Sequence, residues 1–69
     1  MFKLYIRTEN AAFEDGCEGS ELARLLRMVA DRCEEVGEAP STMRLIDANG
    51  NGVGSAGKHV NLPMDVKYT

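Results

Sequence analysis

The residues from Asp47 to His59, DANGNGVGSAGKH, have the spacings that come nearest to known chemical motifs. Asp47-x-Asn49-x-Asn51 has the oxygen ligands of the first half of an EF-hand calcium loop. That loop needs a bidentate Glu at its twelfth position, where this sequence has Lys58. Because a cation there repels calcium, the sequence predicts no calcium site.

Two phosphate-binding patterns overlap in the same stretch. Gly52-x-x-x-x-Gly57-Lys58 is similar to a phosphate loop, except that His59 stands where Ser or Thr is required. Gly52-x-Gly54-x-x-Gly57 is similar to a dinucleotide fingerprint. Both patterns hold phosphate at the N-terminus of a following helix, and the sequence predicts no helix there. We therefore expect no nucleotide cofactor.

Single side chains give no catalytic arrangement either. His59 is the only histidine, and a lone His without a second His or a Cys pair is rarely a metal ligand. Cys17 and Cys33 flank most of a predicted helix, about 20 Å at ~1.5 Å per residue, which is too far for a disulfide. We expect a non-enzymatic protein with no catalytic residues, no metal and no cofactor.

The elements that position these residues are organised around a helix predicted over Ser20–Val36. Its apolar residues recur three and four apart, as on one stripe of a helix. They are Leu22, Leu25, Leu26, Val29, Ala30, Cys33 and Val36. Ser20 is the predicted N-cap, Glu21 follows on the surface near the positive end of the helix, and Gly37 is the predicted left-handed C-cap.

The first predicted strand, Phe2–Arg7, alternates between apolar and polar residues. Phe2, Leu4 and Ile6 are expected to face the helix, because successive side chains point to opposite faces of a sheet. The polar side chains then stand in a row on the other face, which is expected to be open to solvent. That row consists of Lys3, Tyr5 and Arg7.

A hairpin is predicted from Thr42 to about Val60. Asn49-Gly50 favours a two-residue type I′ turn, in which both residues have positive φ. With that turn, Ile46 pairs with Val53. The second strand of the hairpin is rich in glycine, which predicts a bulge or a weakly specified edge strand.

Together these elements predict an α+β fold, a small βαββ domain with one helix packed on one face of a short antiparallel sheet. The single domain is predicted over residues 1–60. Residues 61–69 alternate, but Pro63 excludes a central strand. We expect this segment to be a C-terminal extended tail or an edge strand, and pairing with another copy in a homodimer stays open.

Charge and hydropathy narrow the classes of partner. The net charge of −3 argues against nucleic acid as the partner. No apolar run approaches the ~18 residues that span a bilayer, and the first residues have no secretory signal. We therefore expect no membrane partner and a cytoplasmic location.

Two groups of residues are candidates for binding a partner protein. The first is the strand row Lys3, Tyr5 and Arg7, and the second is the loop Phe13, Glu14 and Asp15. Phe13 has two interpretations: it closes one end of the core, or it anchors a partner as exposed aromatics do. The acidic residues before the helix either complement its dipole or form an acidic patch that mimics nucleic acid or meets a basic protein surface. They are Glu14, Asp15, Glu18 and Glu21.

Three stretches resemble a small group of phage and prophage proteins that have no agreed activity. They are LYIRTENAAFED (4–15), ELARLLR (21–27) and DANGNGVG (47–54). The resemblance covers residues 3–54 and implies a mobile-element origin and a βαββ fold. Because some small acidic phage proteins block host defence, anti-CRISPR proteins among them, it also suggests a binding protein that occludes a host or defence protein.

The alternative function is a small nucleic-acid-binding regulator. In that interpretation several cations form one local basic face that contacts phosphates, despite the negative net charge. The residues of that face are Lys3, Arg7, Arg24, Arg27 and Arg44.

Overall fold

The computed structural model describes residues 1–65 and confirms the α+β class. Strand β1 is Lys3–Ile6, helix α1 is Glu18–Val36, and strands β2 and β3 are Met43–Ile46 and Gly52–Gly57. A short 3₁₀ turn, Ala11–Phe13, lies between β1 and α1. Helix α1 packs on one face of the sheet through an apolar core.

Strand β3 is the central strand of the sheet, whose order is β1-β3-β2 with both pairings antiparallel. The prediction that this glycine-rich strand is a weak edge is wrong. A Cβ at Gly54 would overlap the carbonyl oxygen of Tyr5, and one at Gly57 would overlap that of Ser41. The glycines therefore permit close approach of neighbouring backbone, which is a recognised use of glycine within a strand.

The hairpin turn also differs from the prediction. Gly50 has a φ of 87°, but Asn49 does not share a positive φ, so the turn is not type I′. The amide of Gly50 donates to the carbonyl of Asp47 at 3.0 Å, and the amide of Asp47 donates to the carbonyl of Asn51 at 2.8 Å. These bonds describe a three-residue loop built on a type I turn and a left-handed glycine.

The longer loop changes the strand register. Ile46 pairs with Gly52 instead of Val53, and the register shifts between Leu45 and Ile46. The predicted bulge is therefore present. Val53, 2% exposed, lies at this shift and packs in the core.

The core lies between α1 and the sheet. Leu25 and Val29 are buried, while Leu26 and Val36 of the predicted stripe are 48% and 51% exposed. The buried part of the stripe is narrower than predicted because only three short strands lie beneath the helix. Phe13, 5% exposed, joins the same core, so of its two interpretations the structure shows the one in which it closes the core.

The start of α1 differs from the prediction, whereas its end agrees with it. The helix begins at Glu18 with Cys17 as N-cap residue, so the assignment of Ser20 as N-cap is wrong. The Ser20 hydroxyl instead donates to the carbonyl of Cys17 at 3.1 Å. The C-cap prediction is confirmed, since Gly37 has a φ of 85° and its amide donates to the carbonyl of Cys33.

The segment after β3 is described as far as Asp65. Val60 is buried and Leu62 and Pro63 are half-buried, and residues 61–65 contain no strand. The rest of the predicted tail, residues 66–69, lies outside the described residues. Within residues 1–65, no helix combines the length and apolar character needed to cross a membrane.

Candidate functional site

The face of the sheet opposite α1 is the candidate site, and we call it the open face. Three of its residues are paired in register across the strands, Tyr5 with Ser55 and Ser55 with Arg44. Lys3, Arg7 and Thr42 complete the open face. It contains a shallow groove of about 370 Å³, which all of these residues line except Lys3.

The groove forms because a small side chain lies between two long ones. Ser55 of the central strand is flanked by Tyr5 on one side and Arg44 on the other. The guanidinium of Arg44 lies over Gly52, where a Cβ would come within 2.6 Å of Nη2. Glycine at that position therefore lets Arg44 lie along the sheet, so the groove has a tyrosine wall and an arginine wall.

The open face is basic although the whole chain is acidic. None of the three strands contains Asp or Glu, and Lys3, Arg7 and Arg44 lie on or directly beside them. All 11 Asp and Glu residues therefore lie on the helix and the connections. Separated charge of this kind directs anionic groups toward the sheet.

Arg7 already holds a carboxylate. Its Nη1 and Nη2 donate to the two oxygens of Asp65 at 2.8 and 2.9 Å, a bidentate ion pair. The hydrogen bonds and the opposite charge raise the pKa of Arg7 and lower the pKa of Asp65. The side chains are 42% and 66% exposed, so solvent screens the pair and a competing carboxylate has access to it.

Glu21 is buried, which corrects the prediction that it lies on the helix surface. It is 7% exposed and accepts two hydrogen bonds from Arg24 and one from the amide of Ala48, each of 2.8 Å. Arg24 also donates to the carbonyl of Ile46 at 3.1 Å. The Glu21–Arg24 ion pair therefore links α1 by hydrogen bonds to the end of β2 and to the hairpin loop.

Asp47 organises the hairpin loop from within. It is 4% exposed and accepts hydrogen bonds from the amides of Asn49 and Asn51, both at 2.9 Å, and from Asn10 Nδ2 at 3.2 Å. The residues that resemble a calcium loop are thus bonded to one another. Among residues 1–65, no three His, Cys, Asp or Glu side chains are grouped as a metal site.

The candidate loop residues do not join the strand row. Phe13 is buried in the core on the α1 side of the sheet. Glu14 and Asp15 are exposed, but they follow the 3₁₀ turn that contacts α1 and do not line the groove.

The five cations of the predicted basic face do not lie on one side of the sheet. Arg24 and Arg27 belong to α1, on the other side of the sheet from Arg44. Sequence reasoning missed Ser55 and Thr42 as site residues. The alternation of polar Thr42 and Arg44 with apolar Met43 and Leu45 was the available signal, but it becomes informative only with the strand order.

We expect the protein to lose stability in acid. Hydrogen bonds from Arg24 and from the Ala48 amide lower the pKa of Glu21, against the opposing effect of burial. The Asn51 amide contributes most to lowering the pKa of Asp47, with Asn10 and the Asn49 amide. A carboxylate with a lowered folded pKa stabilises the fold above its unfolded pKa of ~4, and that stability is lost as the pH falls through the folded value.

The measurement is the melting temperature by circular dichroism between neutral pH and pH ~3. Asp47→Asn and Glu21→Gln are expected to melt lower than wild type at neutral pH and to lose less on acidification. Glu35→Gln, an exposed position on α1, is the control and should keep the wild-type slope. Slopes that are identical in all four proteins would show that the two buried carboxylates do not determine acid sensitivity.

Comparison of the chain with protein-family models, with curated proteins and with solved structures finds no match. The resemblance to phage proteins therefore stays a prediction. A function is therefore inferred from the geometry of the open face.

Proposed function

We propose that this chain is a non-enzymatic binding protein of phage origin that occludes a host or defence protein in the host cytoplasm, by analogy with anti-CRISPR proteins. The observation that supports it is the row Tyr5, Ser55 and Arg44 across the open face, with Lys3 and Arg7 at its margin. Tyrosine and arginine are, with tryptophan, the residue types enriched among the positions that contribute most to binding energy at protein interfaces.

The open face is suited to binding because the sheet holds its side chains in place beforehand. Tyr5 and Arg44 are each fixed on a strand paired with β3, so little backbone ordering is needed on association. A standard interface takes about 800 Å² from each partner. That is roughly a sixth of the protein's surface of 4864 Å², an area that one side of the domain can supply.

The test is affinity capture from a host lysate followed by mass spectrometry. We expect wild type to retain one host or defence protein, and a Tyr5→Ala, Arg44→Ala double variant to lose it. An Arg27→Ala, Met28→Ala double variant changes exposed residues of α1 and should retain it. Circular dichroism first establishes that both variants are folded. A partner kept equally by both variants would rule out the open face, and no specific partner would rule out occlusion.

The nucleic-acid alternative also has an observation in its favour. Lys3, Arg7 and Arg44 share the open face with Tyr5, and single-stranded nucleic acid is bound by cations together with aromatic rings that stack on bases. It predicts that a labelled single-stranded oligonucleotide binds at low salt, with affinity that falls steeply as salt is added. Absence of binding at low salt would remove this alternative.

A further inference from the structure

Within residues 1–65, no strand is paired with the outer edge of β1, and this edge indicates what kind of partner element the open face takes. Building on the proposed function, we infer that the partner contributes an acidic, extended segment that adds to the sheet as a strand beside β1. We further infer that Asp65 occupies the carboxylate site of Arg7 until that segment displaces it. The partner segment is thus defined by its backbone geometry and its charge, and Asp65 competes with that segment for Arg7.

The backbone of β1 has hydrogen-bonding groups that β3 does not use. The Arg7 amide donates to the carbonyl of Val53 at 2.7 Å, so Arg7, Tyr5 and Lys3 direct their peptide groups toward β3. The peptide groups of Leu4 and Ile6 therefore point away from β3, and within residues 1–65 no backbone hydrogen bond from a loop or turn reaches them. Such an edge pairs with an added strand.

The opposite edge of the sheet is already partly satisfied. On β2, the carbonyl of Ile46 accepts a hydrogen bond from Arg24, whose guanidinium is fixed by Glu21. A strand added beside β2 would have to displace Arg24, which is the ion-pair partner of the buried Glu21. The edge of β1 is therefore the favoured position.

The positive charge of the open face determines which kind of strand fits beside β1. Its alternate side chains would lie beside Lys3, Tyr5 and Arg7 on the open face, and opposite charges in neighbouring strands stabilise the pairing. A second copy paired antiparallel about Tyr5 would place Lys3 of one chain beside Arg7 of the other, which like-charge repulsion disfavours. An acidic segment fits this edge better than a second β1.

Asp65 shows how a carboxylate binds at this site. Gly57 at the end of β3 pairs with Lys3, whereas Asp65 reaches Arg7 beyond the other end of β1. Residues 58–65 therefore lead from one end of β1 to the other and deliver an acidic side chain to its open face. Lys58 and His59 bond to the backbone of Pro40 and Ser41, and no residue of 58–65 forms a backbone hydrogen bond with β1. A partner carboxylate has to replace Asp65 at Arg7, so removing the Asp65 charge should strengthen partner binding.

The test is fluorescence anisotropy with a labelled short peptide that alternates glutamate and threonine, beside a matched peptide with glutamine for glutamate. We expect the glutamate peptide to bind about tenfold more tightly at low salt. Asp65→Asn should bind it about two- to fivefold more tightly than wild type, the range for release of one exposed ion pair. Asp31→Asn, an exposed change on α1, should leave its affinity unchanged.

Peptides methylated on backbone nitrogen test the mode of binding. Methyl groups on the alternate residues that face β1 should abolish binding, and methyl groups on the intervening residues should not. Equal effects would overturn strand addition, and equal affinity for the glutamate and glutamine peptides would overturn the acidic preference. If capture through Tyr5 and Arg44 succeeds but no glutamate peptide binds to wild type or to Asp65→Asn, this inference fails while the proposed function stands.

Two further outcomes would identify a different occupant. Concentration-dependent dimers in analytical ultracentrifugation that Lys3→Glu strengthens would assign the edge to a second copy and overturn the inference. An oligonucleotide that competes with the glutamate peptide and binds more tightly would assign the open face to nucleic acid, with the same consequence.

Discussion

Replacing Phe13 with alanine is expected to lower the free energy of unfolding by about 3–5 kcal/mol, the usual effect of removing a buried phenylalanine. The side chain is 5% exposed and packs in the core with Leu25 and Val29. A domain of 69 residues has a total stability of only ~3–10 kcal/mol. We therefore expect Phe13→Ala to be marginally folded or unfolded at 25 °C in urea titrations followed by circular dichroism.

Phe2→Ala is the matched control because it removes the same side chain from a position that is 41% exposed. It should lower the free energy of unfolding by about 1 kcal/mol or less, since less apolar surface returns to water. A Phe13→Ala protein that unfolds like wild type but loses its captured partner would restore the interpretation of Phe13 as an interface anchor.

Gly54→Ala is expected to destabilise the sheet by at least the ~1–3 kcal/mol that overpacking usually costs. The added Cβ would overlap the backbone carbonyl of Tyr5. Backbone on a neighbouring strand has no flexible side chain to rotate away, so β1 has to separate from β3. Because Tyr5 and Ser55 are register partners across this pairing, the variant should also lose the groove and any binding that depends on it.

Gly19→Ala is the control, since it is the same substitution in α1 with nothing within 4 Å of the new methyl group. It should raise the free energy of unfolding by about 0.5 kcal/mol, because alanine favours the helix over glycine. The two variants are thus expected to shift the urea midpoint in opposite directions. A Gly54→Ala midpoint equal to that of wild type would show that the central strand tolerates a side chain there.

Local features were predictable because their causes lie within a few residues of each other. The apolar spacing indicated the helix, Gly37 marked its end, and alternation placed Lys3 and Tyr5 on one face of the first strand. The predicted start of the helix was wrong by two residues, because the polar sequence from Cys17 to Ser20 is compatible with either helix or loop.

Polar burial was not predictable, since it depends on partners that are distant in sequence. Glu21 is buried because the amide of Ala48, 27 residues away, supplies a hydrogen bond beside Arg24. Periodicity alone places Glu21 outside the apolar stripe and so on the surface. Asp47 is similar, because one of its hydrogen bonds comes from Asn10, 37 residues away.

Local residue patterns were enough to predict the α+β class, one helix with its C-terminal cap, and a strand that presents Lys3 and Tyr5 away from the helix. They did not predict that β3 is central, or that Arg44 and Ser55 stand beside Tyr5 in one groove. These two features follow from strand order, which depends on which backbones can approach closely. In this protein Gly54 permits the close approach of β1 because it has no side chain. A pattern of hydrophobic residues contains no information about such an approach.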